Sequence, residues 1–343
     1  MATTFKTLNS ANDVTSTRTL LHEAIPLTGT IASGTYNENN IKTYSHGMFE
    51  SVYDYPYLSS SANHIFDITT GYASNSTLSG SASVQNSKKL NIYSQMAQVL
   101  VGYDATGSIQ SFDQDGDIAG GGTKIKEALF VNFSRLLSKD EMKKGSFEMA
   151  VYTAGAMPAL TTTLTIADHG AATAYKVNSP AGEYGILYTS SAVPNAASGV
   201  GLIYYQAGVA VLTGSVFAAS LMGPGVTVAT GYSAIATGST IDVMANCYRN
   251  RLHNISFNNT VELNSTVYFC RASHNEFNYS NNPTYLSQSQ IRVKNSTTDN
   301  PVSYVTTVGL YSADNELLAV AKLSEPLKKD PSTEVTLRVR LDF

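Results

Sequence analysis

Charge is scarce in this chain of 343 residues. Lys and Arg number 22 and Asp and Glu 26, so charged residues make up 14 % where an ordinary soluble domain carries about 25 %. The formal net charge of −4 and the lack of any long basic segment argue against nucleic-acid binding, whose counterion-release affinity needs concentrated Lys and Arg. Lys328-Lys329 is the one basic cluster of note. Tryptophan is absent, and cysteine is limited to Cys247 and Cys270, too few for a disulfide framework. The N-terminus has neither the basic nor the apolar region of a signal peptide, so reduced thiols and synthesis in a cytoplasm are expected.

What is present points to strands. Hydrophobic residues at 43 % rule out a wholly disordered chain. The 21 Tyr and 12 Phe, set among Ser, Thr, Asn and Gly, favour sheets and turns over helices. The expected fold class is mainly β, with sandwich-like antiparallel sheets, a few short helices and an extended N-terminal arm. Length alone suggests about two or three domains. Composition shifts divide the chain into an arm and docking segment at 1–60, a mixed α/β domain at 61–150, a charge-poor β-rich domain at 151–245 and an antiparallel module at 246–343.

Periodicity supplies the elements. Leu90, Tyr93, Ala97, Leu100 and Val101 recur at spacings of three and four, which predicts an amphipathic helix with Lys88 and Lys89 on its other faces. Asp104–Gly107 reads as a turn and Leu129–Phe133 as a strand. Ser138-Lys-Asp-Glu141 has the form of a capping box, predicting a short helix closed by Gly145, after which Phe147, Met149 and Val151 alternate as a strand. Between Tyr184 and Ile241 there is no Asp, Glu, Lys or Arg. The run Gly199–Met222 is apolar enough to raise a membrane span, but its interruption by Tyr204-Tyr205-Gln206, Thr213, Ser215 and four glycines, without flanking Lys or Arg, favours two strands, Leu202–Tyr205 and Val209–Thr213. Because charge is depleted from interface cores, this segment is expected to meet other subunits through Leu202, Tyr204, Tyr205, Val209 and Val211. At the C-terminus Val335, Leu337, Val339, Leu341 and Phe343 alternate on one face of a strand, a second expected contact surface.

Motifs of catalysis are missing. The six His, at 22, 46, 64, 169, 253 and 274, have no metal-ligand spacing. Gly120-Gly-Gly122-Thr-Lys124 only mimics a phosphate loop, and no nucleophile elbow or dinucleotide fingerprint occurs in the required context. Asp113, Asp115 and Asp117 alternate like the start of a calcium loop, but the glycine comes too early, Ile118 stands in its position, and Lys124 replaces the bidentate glutamate. An Asx-rich turn is the expected outcome, with these aspartates a weak metal candidate. No cofactor and no enzymatic activity are expected.

Several segments carry a resemblance. Asn91–Tyr103, Phe112–Ile118, Phe133–Leu137 with Lys143–Phe147, and Asn275–Thr284 look like virion structural proteins of tailed bacteriophages, above all T4-like myoviruses of marine cyanobacteria. Gly309-Leu-Tyr311 through Leu317-Leu-Ala-Val320 to Ser324 is also similar to the pattern in domains that attach tail fibres to phage baseplates. Here that segment is C-terminal and no shaft repeat follows, which disfavours a fibre. The resemblance implies a non-enzymatic virion subunit, made in the host cytoplasm, at the contractile-tail baseplate or tail-fibre junction. Its implied partners are other virion proteins and further copies of itself, with no nucleic acid and no membrane in the assembled state. A neck or capsid-associated protein, and a tail adhesin using the Tyr- and Asn-rich loops at Tyr53–Tyr57 and Asn275–Asn282, are the alternatives.

Overall fold

The computed structural model describes residues 5–23, 38–80, 83–118, 120–156, 159–189, 199–217, 232–280, 286–287, 290–291, 298 and 300–343. Val293 and the flanks 190–198 and 218–231 of the charge-free segment lie outside them. The protein is mainly β, with antiparallel sheets and few helices. In chain order the first strands are β1 (Val14–Glu23), β2 (Ile41–Thr43), β3 (Glu50–Tyr53), β4 (His64–Tyr72), β5 (Phe112–Asp113), β6 (Lys124–Ile125), β7 (Glu127–Phe133), β8 (Glu141–Met142), β9 (Glu148–Ala156) and β10 (Ala159–Ala167). They are followed by β11 (Tyr184–Tyr188), β12 (Gly199–Tyr204), β13 (Val209–Thr213), β14 (Leu252–Ser256), β15 (Asn259–Ala272), β16 (Leu286–Ser287), β17 (Gln290–Ile291), β18 (Ser303–Tyr311), β19 (Leu317–Lys329) and β20 (Val335–Asp342). The helices are α1 (Val84–Leu100), α2 (Arg135–Ser138), α3 (Ala171–Ala174), α4 (Tyr232–Gly238) and α5 (Ile241–Arg251).

The chain forms two compact units, one of Leu21–Val261 and one of Met1–Leu20 with Glu262–Phe343. The larger unit is built on a ten-stranded sheet in the order β14-β9-β10-β11-β12-β13-β7-β4-β3-β2. Strand alternation sends neighbouring residues to opposite faces, and each face has its own core. Ala128 and Phe130 of β7 face a cluster with Ile92, Tyr93, Ala97 and Leu100 of α1. Leu129, Val131 and Phe133 face a cluster with Met244, Ala245, Cys247 and Tyr248 of α5. The aromatic rings interlock edge to face: Tyr93 meets Phe112 at 5.4 Å and 87°, and Phe133 meets Phe147 at 5.9 Å and 72°.

Helix α1 begins at the N-cap Ser83, whose side chain accepts from Asn86 N. Its apolar stripe is the expected one, but Lys89 is not on an open face. It is fully buried, donating to Ala236 O at 2.5 Å and Ser239 O at 2.6 Å, and so ties α1 to the end of α4. The predicted strands at Leu202–Tyr205 and Val209–Thr213 match β12 and β13, paired from Gly201↔Leu212 to Tyr204↔Val209. No helix among the described residues is long and apolar enough to cross a membrane.

Three expectations are corrected. Ser138 ends helix α2 rather than capping a new one: Lys139 turns the chain at φ +51°, and Glu141–Met142 then pairs with Asn259 and Thr260 of β15. The segments 61–150 and 151–245 are not separate domains, because β4 and β7 lie in the same sheet as β9 to β13. The arm at 1–60 is divided: β2 and β3 extend the large sheet, whereas β1 joins β15 and β20. Helix α5 was not expected at all, although Ile241, Met244, Ala245 and Tyr248 are its buried face and Asp242, Arg249 and Arg251 complement its dipole.

In the smaller unit β1, β15 and β20 form a sheet in that order, with Thr266 opposite Leu341 and Phe269 opposite Arg338. Strands β18 and β19 form a two-stranded ribbon of their own.

Candidate functional site

The acidic turn is organised around an internal cation. Asp113 Oδ1 accepts from Asp115 N, Asp115 Oδ1 from Asp117 N, and Asp117 Oδ1 from Gly120 N, each at 3.0 Å. These are successive Asx turns. Into them reaches Lys124 Nζ, which pairs with Asp113 and donates to Ile118 O at 3.1 Å. Burial pushes the Asp113 carboxyl above its usual range, and the Lys124 ammonium opposes that shift. Hydrogen bonding from the Asp113 side holds Asp115 below its usual range. An ammonium therefore sits at Asp113, and among the described residues no group of three or more His, Cys, Asp or Glu is arranged to hold a metal ion. Gly120–Gly122 leads into strand β6 and not into a helix, so the phosphate-loop mimicry has no helix N-terminus behind it.

Other titratable groups are occupied internally. Asp168 is buried, with Oδ2 accepting from Tyr205 Oη at 2.8 Å and Gly145 N at 2.7 Å, and Oδ1 from Phe147 N at 3.0 Å. Burial raises its pKa to about 6 against these donors. Glu50 is raised to about 7, chiefly by burial, with Arg249 opposing and Asp242 adding to the shift. His64 meets Asp67 at 2.8 Å and His253 meets Tyr152 at 2.9 Å. Both cysteines are free, and burial pushes the Cys247 thiol up to about 11, which suits a core residue and not a nucleophile.

The expected contact residues of the charge-free segment are elsewhere than foreseen. Leu202, Tyr204, Tyr205, Val209 and Val211 are between 0 and 7 % exposed. Leu202, Tyr204, Val209 and Val211 lie on the adjacent strands β12 and β13, and Tyr205 directly follows β12; the chain itself covers both faces of the sheet there, so these are core residues. In β12 and β13 the absence of charge accords with burial on both faces. In the C-terminal strand Val339 is buried, Val335, Leu337 and Leu341 are half-buried, and Phe343 is 73 % exposed.

Accessible apolar surface lies instead on the ribbon. Gly309 in β18 has no side chain, and a Cβ there would stand 3.0 Å from the Tyr311 ring and 3.3 Å from Leu317. The two side chains close over it. With Val320, the register partner of Gly309, they form a patch in which each residue is about half exposed, extended by Phe5, whose ring lies 4.7 Å from that of Tyr311. The reverse side carries Val308, Leu310, Ala319 and Ala321, half-buried or buried. Among the described strands, the outer edges of β18, β19 and β20 are unpaired. The loops singled out for an adhesin keep Tyr55, Phe277 and Tyr279 exposed; Asn281 and Asn282 lie outside the described residues.

One face of the smaller sheet carries a groove that no catalytic motif announces. Thr15, Thr17 and Thr19 of β1, Val267 and Phe269 of β15, and Arg338 and Arg340 of β20 line a groove of about 260 Å³. In the sequence the apolar alternation of β20 masks the intervening Arg338-Val-Arg340, and the Thr-x-Thr-x-Thr of β1 is the signal that points to the groove.

Compared with known proteins, the chain matches no family model, no curated protein and no solved structure.

Proposed function

We propose that this protein is a non-enzymatic structural subunit of a phage virion, placed at the contractile-tail baseplate or the tail-fibre junction. It acts by strand-edge and apolar contacts repeated over many copies, with other virion proteins and its own copies as partners. The observation that carries this reading is the β18–β19 ribbon, which pairs with no other strand among the described residues and displays Tyr311, Leu317 and Val320 beside unpaired backbone edges. Exposed edges are templates for pairing with another chain, and many weak contacts in a symmetric particle add through multivalency. The same ribbon contains the Gly309–Ser324 segment that resembles fibre-attachment domains.

Cross-linking mass spectrometry on purified particles tests it. Links from Lys322 and Lys328 of the ribbon to baseplate or fibre proteins are expected. Links to capsid or neck proteins alone would move the subunit to the alternative position, and absence of the chain from particles would remove the virion reading altogether.

A further inference from the structure

The groove on the smaller sheet is built from three kinds of surface in parallel rows. Its floor is Val267 and Phe269 on the central strand; Val267 is buried and Phe269 half-buried. One wall is the row of Thr15, Thr17 and Thr19, whose hydroxyls have no hydrogen-bond partner among the described residues. The other wall carries Arg338 and Arg340. Neighbouring strands lie about 4.8 Å apart, so the two walls stand about 10 Å apart across β15.

The guanidinium groups around this face are unequal. Arg340 Nε donates to Asp342 at 2.7 Å and its Nη2 to Ser265 at 3.0 Å. Arg271 is paired with Asp13 at 3.4 Å and donates to Asn12 O. Arg338 alone has no acidic partner among the described residues. It stands opposite Phe269 in the register, so an unpaired planar cation borders an aromatic floor; across that floor Phe269 N donates to Asp13 O, and Thr15, two residues further along β1, is the nearest free hydroxyl of the row.

We infer that this groove binds an acidic sugar, a single pyranose ring bearing one carboxylate. Arg338 receives the carboxylate as a two-pronged charge-assisted contact. The apolar face of the ring lies on Phe269, and its hydroxyls exchange hydrogen bonds with Thr15, the member of the threonine row nearest to that ring. A groove of about 260 Å³ is smaller than the about 300–1,000 Å³ typical of drug-sized ligands, which favours one ring over a longer occupant. A bare inorganic anion would use Arg338 but leave the floor and the threonines unoccupied. A neutral sugar would leave Arg338 unpaired. The inference stands independently of the virion reading, since it concerns only the chemistry of this face.

The test is an NMR titration of the full-length protein with glucuronate, glucose and sodium sulfate at constant ionic strength. Saturable binding of glucuronate is expected, with much weaker sulfate binding and no response to glucose. Arg338→Gln should weaken glucuronate binding by about tenfold or more. Thr15→Val, which keeps the side-chain shape, should weaken it severalfold while melting like the parent. Sulfate binding as tight as glucuronate would reduce the groove to a simple anion site and overturn the proposal. So would equal binding of glucose, unchanged affinity in both variants, or no saturable binding well above millimolar concentration.

Discussion

Tyr205 and Asp168 are joined by a hydrogen bond of 2.8 Å in the interior of the large unit, the hydroxyl donating to a carboxylate that also holds the backbone at Gly145 and Phe147. The adjacent Tyr204, pointing to the opposite face of the sheet, has an equally buried hydroxyl with no partner among the described residues. The two tyrosines should therefore respond oppositely to the same change. Tyr205→Phe leaves part of a buried carboxylate unsatisfied and is expected to cost about 2 kcal/mol, whereas Tyr204→Phe removes an unsatisfied group and should be neutral or stabilising. Urea unfolding with unchanged m-values reads both; equal losses would show that Asp168 does not depend on Tyr205.

Glu50 gives the fold a pH dependence of known sign. Its pKa rises on folding from the ordinary 4.5 to about 7, so the native state binds the proton more tightly than the unfolded chain. Stability from this group is present below about 4.5 and is lost as pH climbs through about 7. Glu50→Gln keeps the size and removes the charge. The stability difference between parent and variant should then change across that window and flatten above it. A difference that does not vary with pH between about 4.5 and about 7 would show that Glu50 titrates normally.

Gly71 is the point where helix α1 lies directly on strand β4. A Cβ there would stand 2.6 Å from Lys89 O and 2.8 Å from Tyr93 N, both backbone atoms of the helix and so unable to rotate away. Gly71→Ala is expected to push the helix off the sheet and cost about 1–3 kcal/mol. Gly80→Ala, with nothing within 4 Å of the added atom, should cost far less. Thermal melts of the two variants make the comparison; similar losses would mean that the helix shifts freely.

The sequence disclosed the elements better than their arrangement. Helix α1, the hairpin of β12 and β13, and the terminal strand were all visible in alternation or in three- and four-residue spacing, because those periods are local properties of backbone geometry. Capping at Ser138 failed because local hydrogen bonding lost to the pairing of Glu141 and Met142 with β15, more than a hundred residues away. In the charge-free middle, the described strands β12 and β13 are core. Burial between two layers of one chain and burial between two chains deplete charge alike, so composition cannot separate Leu202 and Val211 in a core from the same residues at an interface. The groove was missed for a related reason: its Arg and Thr rows meet only when β1 and β20 flank β15, a relation spanning almost the whole chain.

Lys124 takes the place that a cation would fill at Asp113, which changes what substitution there should do. Asp113 is fully buried, and removing its partner leaves an uncompensated charge in the interior. Lys124→Met is expected to destabilise by about 3 kcal/mol, and Asp113→Asn to recover part of that loss in the double variant. Substituting the more exposed Asp115 should cost less than substituting Asp113. Melting of the parent protein with and without calcium provides the complementary measurement: an upward shift with calcium would show that the ion displaces Lys124 from the carboxylate.

The apolar patch over Gly309 should matter to association and not to folding. Leu317 and Val320 are 53 and 51 % exposed, and exposed positions away from special backbone features usually change stability by no more than about 0.5 kcal/mol. Leu317→Glu and Val320→Lys together place opposite charges on the patch and leave the net charge unchanged, so an effect on association would come from lost apolar contact and not from altered long-range repulsion. The double variant is expected to keep the parent melting temperature while sedimenting as a smaller species, and to fail to enter particles in which the parent assembles. Gly309→Val acts on the same patch from beneath, forcing Tyr311 and Leu317 apart, and should show the same separation of assembly from stability. Unaltered assembly in both variants, with normal folding, would exclude the ribbon as the contact surface and leave the edge of β20 to carry it.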